Sequence, residues 1–232
     1  MKAIIAGSMI YESEMFYGFE EISIDTAEGW VSVLINKKKE VIFLQRHGKK
    51  KNIPPHKINH KANILALKSI GVTKIYSFSS TGSLNLELGP GSVVVPRDYI
   101  DLWSCTNLYD DRILHVTPQI SEKLRQDLIH AASGAGIEVY DAGVYIQTRG
   151  PRLETKSEIS MLKQFADIVG MTFGSECTIA NEIGIPIANI SSVDNYANGL
   201  VEGSDGISEE QIDRARRENF KNVEKILKEL IG

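Results

Sequence analysis

Several stretches of this sequence combine glycine, hydroxyl or cationic side chains directly after short apolar runs. Arg46-His47-Gly48 follows the run 41–44, and Ser79-Ser80-Thr81-Gly82-Ser83-Leu84 follows the run 74–78. An arginine offers a planar fork of donors that matches a phosphate, and a histidine can add another donor. Small hydroxylic residues leave backbone N–H groups accessible, so that they can form an anion nest. Ala6-Gly7-Ser8 adds a glycine that lets the backbone approach an anion, with a hydroxyl beside it.

The second half of the chain supplies acid and amide side chains at similar places. Gly150-Pro151-Arg152-Leu153-Glu154-Thr155 opens a helical pattern, and Gly170-Met171-Thr172 ends an apolar run. Ser191-Ser192-Val193-Asp194-Asn195-Tyr196-Ala197-Asn198-Gly199 follows the run 187–190. An acid and an amide beside one cleft could read the edge of a heterocycle.

Each stretch also has a simpler interpretation. A Gly-Ser pair is often only a turn, and Arg46 could lie at the surface beside a packed His47. A hydroxyl-rich segment can be an ordinary loop, and the basic run 49–51 is expected to be a solvated turn. The glycine spacing matches neither the dinucleotide GxGxxG fingerprint nor a Walker P-loop, so nicotinamide and ATP sites are not supported.

The elements that must position these residues follow from hydrophobic periodicity. Apolar, β-branched runs bounded by turn residues predict strands at 3–5, 30–35, 41–44, 74–78, 91–95, 139–147, 168–171 and 187–190. Helical patterns predict helices at 59–70, 121–135, 155–165, 176–183 and 209–231. Alternating strands and helices indicate an α/β domain with a mostly parallel sheet covered on both faces. Ligands of such sheets bind at the carboxyl ends of the strands, where these polar stretches lie.

Composition excludes several classes of protein. The chain has 232 residues, 42% hydrophobic and 24% charged, with a formal net charge of −4. These values exclude disordered and fibrous proteins and argue against a nucleic-acid or membrane-surface partner. Cys105 and Cys177 form no CxxC pair, so we expect neither a disulfide scaffold nor a metal site. No run approaches the ~20 apolar residues that span a bilayer, and the first apolar run is too short for a signal peptide. We therefore expect a cytoplasmic protein.

Taken together, the motifs resemble one family. RHG, PPHKINHKANI, STGSL, GPRLET, GMT and the DNYANG strand end, in this order, resemble the purine nucleoside phosphorylases, most closely their methylthioadenosine/methylthioinosine phosphorylase branch. The resemblance implies a single-domain α/β fold over residues 1–232, with a mixed, partly barrel-like central sheet flanked by helices. It also implies phosphorolysis, as in purine salvage: nucleoside and phosphate give free base and ribose 1-phosphate. Phosphate is then a co-substrate, and no cofactor is expected.

The resemblance also assigns roles to residues. The residues that it implies for phosphate binding are Ser8, Arg46, His47, Ser79, Ser80 and Thr172. It places Met171 against the ribose and gives the purine to Asn195 and Glu154, the expected catalytic pair, with Tyr196 and Ala197 beside them. His115, in Ile113-Leu114-His115-Val116, resembles a histidine that reaches into a neighbouring subunit's sugar pocket, which implies a homo-oligomer, a trimer or a hexamer. Two positions depart from the family pattern: Ala6 replaces a glycine, and Arg149 replaces an acid.

The residues favour one base class. Cleavage of an N-glycosidic bond needs an anion near the cationic sugar and a hydrogen bond for the departing purine. A carboxylate at Glu154 accepts from N1–H of a 6-oxopurine, and the Asn195 amide can donate to O6 and N7. Inosine or 5′-methylthioinosine should therefore be preferred over the adenosine counterparts. If Asp194 instead of Asn195 faced the base, the preference would reverse to 5′-methylthioadenosine.

Two other functions remain open at this point. A nucleoside hydrolase uses water and has no need of Arg46 and His47. A nucleoside-binding protein without catalysis would bind the nucleoside and release no base.

Overall fold

The computed structural model describes residues 1–7, 10, 13–50, 52–104, 106–202 and 209–232. The strands are β1 Lys2–Ala6, β2 Glu20–Thr26, β3 Gly29–Asn36, β4 Val41–Gln45, β5 Lys74–Ser83, β6 Val93–Val94, β7 Asp98–Asp101, β8 Val144–Gln147, β9 Ile168–Gly170 and β10 Ile187–Tyr196. The helices are α1 His60–Ser69, α2 Glu122–Gly134, α3 Lys156–Leu162, α4 Phe173–Glu182 and α5 Glu209–Ile231.

The strands form one mixed sheet. Its order is β2-β3-β4-β1-β5-β9-β8-β7, and β10 pairs with both β5 and β6. The pairs β1–β4, β1–β5, β5–β10, β7–β8 and β8–β9 are parallel, whereas β2–β3, β3–β4, β5–β9 and β6–β10 are antiparallel. Five of these nine strand pairs are parallel, so the sheet is parallel in most of its pairs, as expected, but it is not purely parallel. The hairpins at β2–β3–β4 and the short pairings of β6 and β9 make the sheet mixed, as the family resemblance implied.

Part of the sheet curls towards a barrel. One edge of β5 pairs with β1 along its first half and with β9 at its end, while β10 follows the other edge. β6 and β7 lie close together in the chain, and β6 pairs with β10 while β7 pairs with β8. Strands β5, β10, β6, β7, β8 and β9 thus surround one interior. The ring is interrupted between β6 and β7, so the barrel is incomplete.

The two central strands are longer than predicted. β5 and β10 each have ten residues, so residues 79–83 of the hydroxyl-rich stretch and the first half of the DNYANG stretch belong to strands instead of loops. Small polar residues tolerate these buried positions because their side chains bond neighbouring strands, as the Thr81 hydroxyl does by donating to the Ser192 carbonyl at 2.9 Å. The carboxyl ends of β5 and β10 are therefore joined by side-chain hydrogen bonds as well as by their backbone pairing.

Other boundaries differ from the predictions for simple reasons. β2 and β7 were not predicted, because much of β2 is exposed and β7 is short with an acid at each end. The predicted strand 139–147 begins only at Val144, with a single bridge at Tyr140. α4 starts three residues earlier than expected, and α3 ends three residues earlier.

The helices begin where the sequence supplies caps. Asn59 accepts from the amide of Ala62 at the start of α1, and Ser121 caps α2. Thr155 and Glu158 form a capping box at α3, directly after Glu154. Among the described residues, no helix combines the length and apolar character that crossing a membrane requires.

Candidate active site

A cavity of about 580 Å³ opens at the carboxyl ends of β1, β4, β5, β9 and β10. The first half of α5 forms one of its walls. Its lining contains most of the residues that the sequence singled out: Arg46, His47, Ser79, Ser80, Glu154, Met171, Thr172, Asn195 and Ala197. Residues as distant in the chain as Arg46 and Ala197 therefore meet in one space, as strand-end positions were expected to do.

Arg46 is buried and already engaged by the protein. Its Nε donates to Glu176 Oε1 at 2.6 Å, and Nη2 donates to Glu176 Oε2 at 3.2 Å and to Ser77 Oγ at 2.9 Å. Its Nη1 donates to the Phe78 carbonyl at 2.6 Å. Both side chains of the Arg46–Glu176 pair are 2% exposed. Among the described residues this leaves one N–H of Nη1, which borders the cavity beside Gly7.

His47 is held in one orientation. Its Nδ1 lies 2.8 Å from the Ile53 carbonyl, so Nδ1 carries the proton and Nε2 faces Gly7 at the cavity edge. Burial lowers the pKa of His47 below its ordinary value of 6.5, more than the Ile53 contact raises it. The imidazole is therefore neutral at pH 7, and Nε2 can accept a hydrogen bond from a protonated phosphate oxygen.

A buried amide orients Ser79. Asn189 Nδ2 donates to Ser79 Oγ at 3.0 Å and to the Ser77 carbonyl at 3.1 Å, and Ser191 Oγ donates to Asn189 Oδ1 at 2.6 Å. Because Ser79 Oγ accepts this bond, its own hydroxyl proton remains to donate to an anion.

Thr172 and Met171 lie at the start of α4. Thr172 is the N-cap of this helix, and its buried side chain makes no capping bond to the helix. The backbone amides of Thr172 and Phe173 donate to Tyr145 Oη at 3.2 and 3.4 Å, so the Thr172 hydroxyl is the group that this position offers to an anion. Met171 packs against Gly150, where a Cβ would approach its sulfur to 2.3 Å; the φ of 61° at Gly150 also favours glycine.

The other end of the cavity holds the acid and amide pair. Glu154 is buried, and Thr148 Oγ1 donates to its Oε1 at 2.6 Å. Asn195 is half-buried and donates to the Tyr196 carbonyl at 2.8 Å. Its amide lies beside Gly82, where a Cβ would come within 3.3 Å of Nδ2. Glu154 and Asn195 thus present one acceptor and one amide to the same space.

Two of the predicted residues, both described by the structure, are not brought into the cavity. Tyr196 follows Asn195 on the strand and points to the other side, where its ring packs against Gly89. His115 is exposed between β7 and α2, outside the cavity of its own chain. Ser8 lies outside the described residues.

Four side chains were not assigned a role from the sequence: two of them line the cavity, Asp194 and Arg216, and two contact lining residues from behind, Glu176 and Asn219. Glu176 neutralises Arg46, and its place in the first turn after Gly-Met-Thr was the only available signal. Asp194, Arg216 and Asn219 meet at the wall formed by α5. Arg216 and Asn219 could not be predicted as site residues, because the sequence of a helix does not show which distant strand the helix packs against. Among the described residues, no group of His, Cys, Asp or Glu side chains could hold a metal ion.

Comparison with known proteins identifies the family. The model of the phosphorylase superfamily matches residues 3–232. The chain belongs to this superfamily. This confirms the family and the fold that the motifs implied.

Individual relatives give finer similarities. The chain is 44% identical over 234 residues to the "Probable 6-oxopurine nucleoside phosphorylase" of Archaeoglobus fulgidus, covering 100% of this chain and 96% of that protein. It is 39% identical over 205 residues to the "Probable S-methyl-5'-thioinosine phosphorylase" of Methanocaldococcus jannaschii, covering 86% and 80%. Among solved structures, methylthioadenosine phosphorylase from Schistosoma mansoni in complex with adenine has a TM-score of 0.87 at 27% identity, covering 99% of this chain and 90% of that one.

Proposed function

We propose that this chain is a purine nucleoside phosphorylase that cleaves 6-oxopurine nucleosides, 5′-methylthioinosine or inosine, with phosphate. The observation that carries the proposal is the division of one cavity into two ends. Arg46, His47, Ser79 and Thr172 suit an anion, and Glu154 and Asn195 suit a purine edge. The family and the similarity to named nucleoside phosphorylases support the same reaction.

The reaction follows from this division. A phosphate oxygen attacks C1′ of the sugar, the C1′–N9 bond breaks, and its electron pair leaves with the purine. The phosphate also stabilises the positive charge that develops on the sugar, so positioning is the main contribution of Arg46 and Ser79. A hydrogen bond from Asn195 at N7 stabilises the leaving purine. The purine takes up a proton to become the free base, and the other product is ribose 1-phosphate from inosine or 5-methylthioribose 1-phosphate from 5′-methylthioinosine. The proposed reaction needs no cofactor.

The base preference rests on Glu154 and Asn195. Thr148 engages Oε1 of Glu154, and no residue in the described part of the chain donates to Oε2, which can therefore accept from N1–H of hypoxanthine. The carboxylate of Asp194 is surrounded by hydrogen-bond donors from the protein, which makes it unsuited to accept from a 6-amino group. Asn195 is therefore the residue that we assign to the base, in favour of a 6-oxopurine.

The sugar end favours a 5′-methylthio group. Ile212, Phe220 and Val223 of α5, together with Ile10, give this part of the cavity wall an apolar surface. A methylthio group gains from apolar contacts that a 5′-hydroxyl would not use.

A substrate panel tests the proposal. Inosine, guanosine, adenosine and the 5′-methylthio forms are incubated with and without phosphate, and free base is measured. We expect base release only with phosphate and fastest from an oxopurine. Release without phosphate would indicate a nucleoside hydrolase, and binding without release would indicate a nucleoside-binding protein. Faster release from methylthioadenosine would favour the adenosine-type activity that several similar proteins carry in their names.

A further inference from the structure

We propose that Asp194 is a positioning residue that fastens α5 to the base-reading strand and thereby sets the nucleoside end of the cavity. The inference rests on the proposed function, because it assigns Asn195 to the base. Asp194 itself contacts no reacting atom in this account.

The contacts of Asp194 come from three separate elements. Its Oδ1 accepts from Ser192 Oγ of β10 at 3.0 Å and from Asn219 Nδ2 of α5 at 2.8 Å. Its Oδ2 accepts from Ser80 Oγ of β5 and lies 3.4 Å from Arg216 Nε of α5. The Asp194 side chain is 1% exposed. A buried carboxylate with this many donors is fixed in place, since losing a neutral donor leaves a buried acceptor unsatisfied and losing Arg216 removes its paired charge.

Asp194 stands at an irregularity of β10. The pairing with β5 runs from Val193 opposite Thr81 to Asn195 opposite Gly82, so Asp194 is the extra residue of a bulge. Bulges redirect the side chains that follow them. The anchored Asp194 carboxylate therefore determines the direction in which the Asn195 side chain points from the strand.

The same carboxylate determines where α5 lies. Arg216 and Asn219 are three residues apart on α5, so both reach Asp194 from one helix face. Asn219 Nδ2 also donates to the Val193 carbonyl at 2.8 Å. Ile212 and Phe220 of this helix line the cavity, so a shift of α5 would change the sugar wall and the base end together.

The test uses Asp194→Asn, Arg216→Met and the double variant. In Asp194→Asn an amide nitrogen can face Arg216 Nε, which sets two donors against each other with little change of shape. Arg216→Met removes the ion pair from the partly exposed side, so this variant is informative even if Asp194→Asn fails to fold. Arg214→Met is the matched control, since Arg214 pairs with Glu218 on the exposed face of the same helix.

Two readouts are measured in each variant: KM for nucleoside and for phosphate, and hydrogen exchange of the α5 amides without substrate. We expect a rise of about tenfold in KM for nucleoside, a change within about twofold in KM for phosphate, and faster exchange in the first half of α5. The double variant should have a KM for nucleoside no higher than that of the poorer single variant, because both substitutions remove the same contact between Asp194 and Arg216. Arg214→Met should behave as wild type.

Several results would overturn the proposal. These are unchanged exchange in α5, equal changes in both KM values, or a loss of activity that only follows a lower melting temperature. Additive effects in the double variant would also contradict it. If the wild type cleaves no nucleoside, the proposed function fails, while the exchange measurement still decides whether Asp194 holds α5.

Discussion

At the scale of single residues, the Arg46–Glu176 pair changes how the phosphate end should be understood. The sequence suggested an arginine whose whole fork serves an anion. In the structure Glu176 takes Nε and part of Nη2, so the guanidinium charge is compensated before phosphate arrives. Arg46 is therefore expected to offer phosphate one N–H and a fixed geometry, with Ser79, His47 and the Thr172 hydroxyl supplying the remaining contacts.

This pairing makes a prediction for a double variant. Arg46→Met should raise KM for phosphate strongly, since a charge-assisted contact contributes about 1.5–3 kcal/mol. It should also lower the free energy of unfolding by about 3–5 kcal/mol, because Glu176 is left buried without its partner. Adding Glu176→Gln should recover most of the stability but not the phosphate affinity. Urea unfolding and phosphate kinetics measure the two quantities. Recovery of phosphate affinity in the double variant would show that Arg46 does not contact phosphate.

At the scale of elements, the sequence predicted which segments meet and misjudged where the strands end. Val41–Gln45 and α1 were close to expectation, because apolar runs and an Asn cap mark them. The predictions for β5 and β10 ended too early, because the hydroxyl and acid residues at their carboxyl ends are equally common in turns. What distinguishes a strand from a loop at these positions is the neighbouring strand, which a single sequence does not contain. The same reason hid Arg216 and Asn219 from the candidate site.

Close packing between β5 and β10 predicts the effect of one added methyl group. In Gly82→Ala the new Cβ would lie 3.3 Å from Asn195 Nδ2 and 3.4 Å from Val169, so the Asn195 amide must move. We expect KM for nucleoside to rise by about tenfold with little change in KM for phosphate. The control is Gly134→Ala, where the added Cβ meets only the flexible end of Glu229. Equal KM values for nucleoside in the two variants would contradict the close approach of Gly82 to the base site.

At the scale of the whole molecule, a buried histidine makes stability depend on pH. Burial lowers the pKa of His60 from 6.5 to about 4, and among the described residues its Nδ1 has no hydrogen-bond partner. Between these two values the unfolded chain binds a proton that the folded chain does not, so stability falls as pH falls through this window. Lowering the pH from 7 to 5 should cost about 2 kcal/mol through His60.

The variant His60→Phe isolates this effect. It should reduce the loss of unfolding free energy between pH 7 and pH 5 by that amount, measured by urea unfolding at both values. His130→Gln, at an exposed position of α2, is the control. An identical pH dependence in wild type and His60→Phe would show that His60 is not buried in its neutral form.

Assembly is the second prediction at this scale. Ile113 and Leu114 beside His115 are exposed, as are Leu102 and Trp103 after β7, and such apolar surface is typical of an interface. We propose a ring-like homo-oligomer, a trimer or hexamer of the 25.7 kDa chain, in which His115 reaches a neighbour's sugar site. Light scattering at assay concentration should give such a mass, and Ile113→Asp should lower both mass and activity. An active monomer would refute the assembly.

The central claim, a cavity built for a 6-oxopurine nucleoside and phosphate, is tested most directly by one ratio. This is kcat/KM for 5′-methylthioinosine divided by kcat/KM for 5′-methylthioadenosine, both with saturating phosphate. Sites that hydrogen-bond a substrate group discriminate by as much as about 10⁴-fold, so we predict a wild-type ratio far above one and a much lower ratio in Asn195→Asp. A wild-type ratio below one, or a ratio that Asn195→Asp leaves unchanged, would contradict the account.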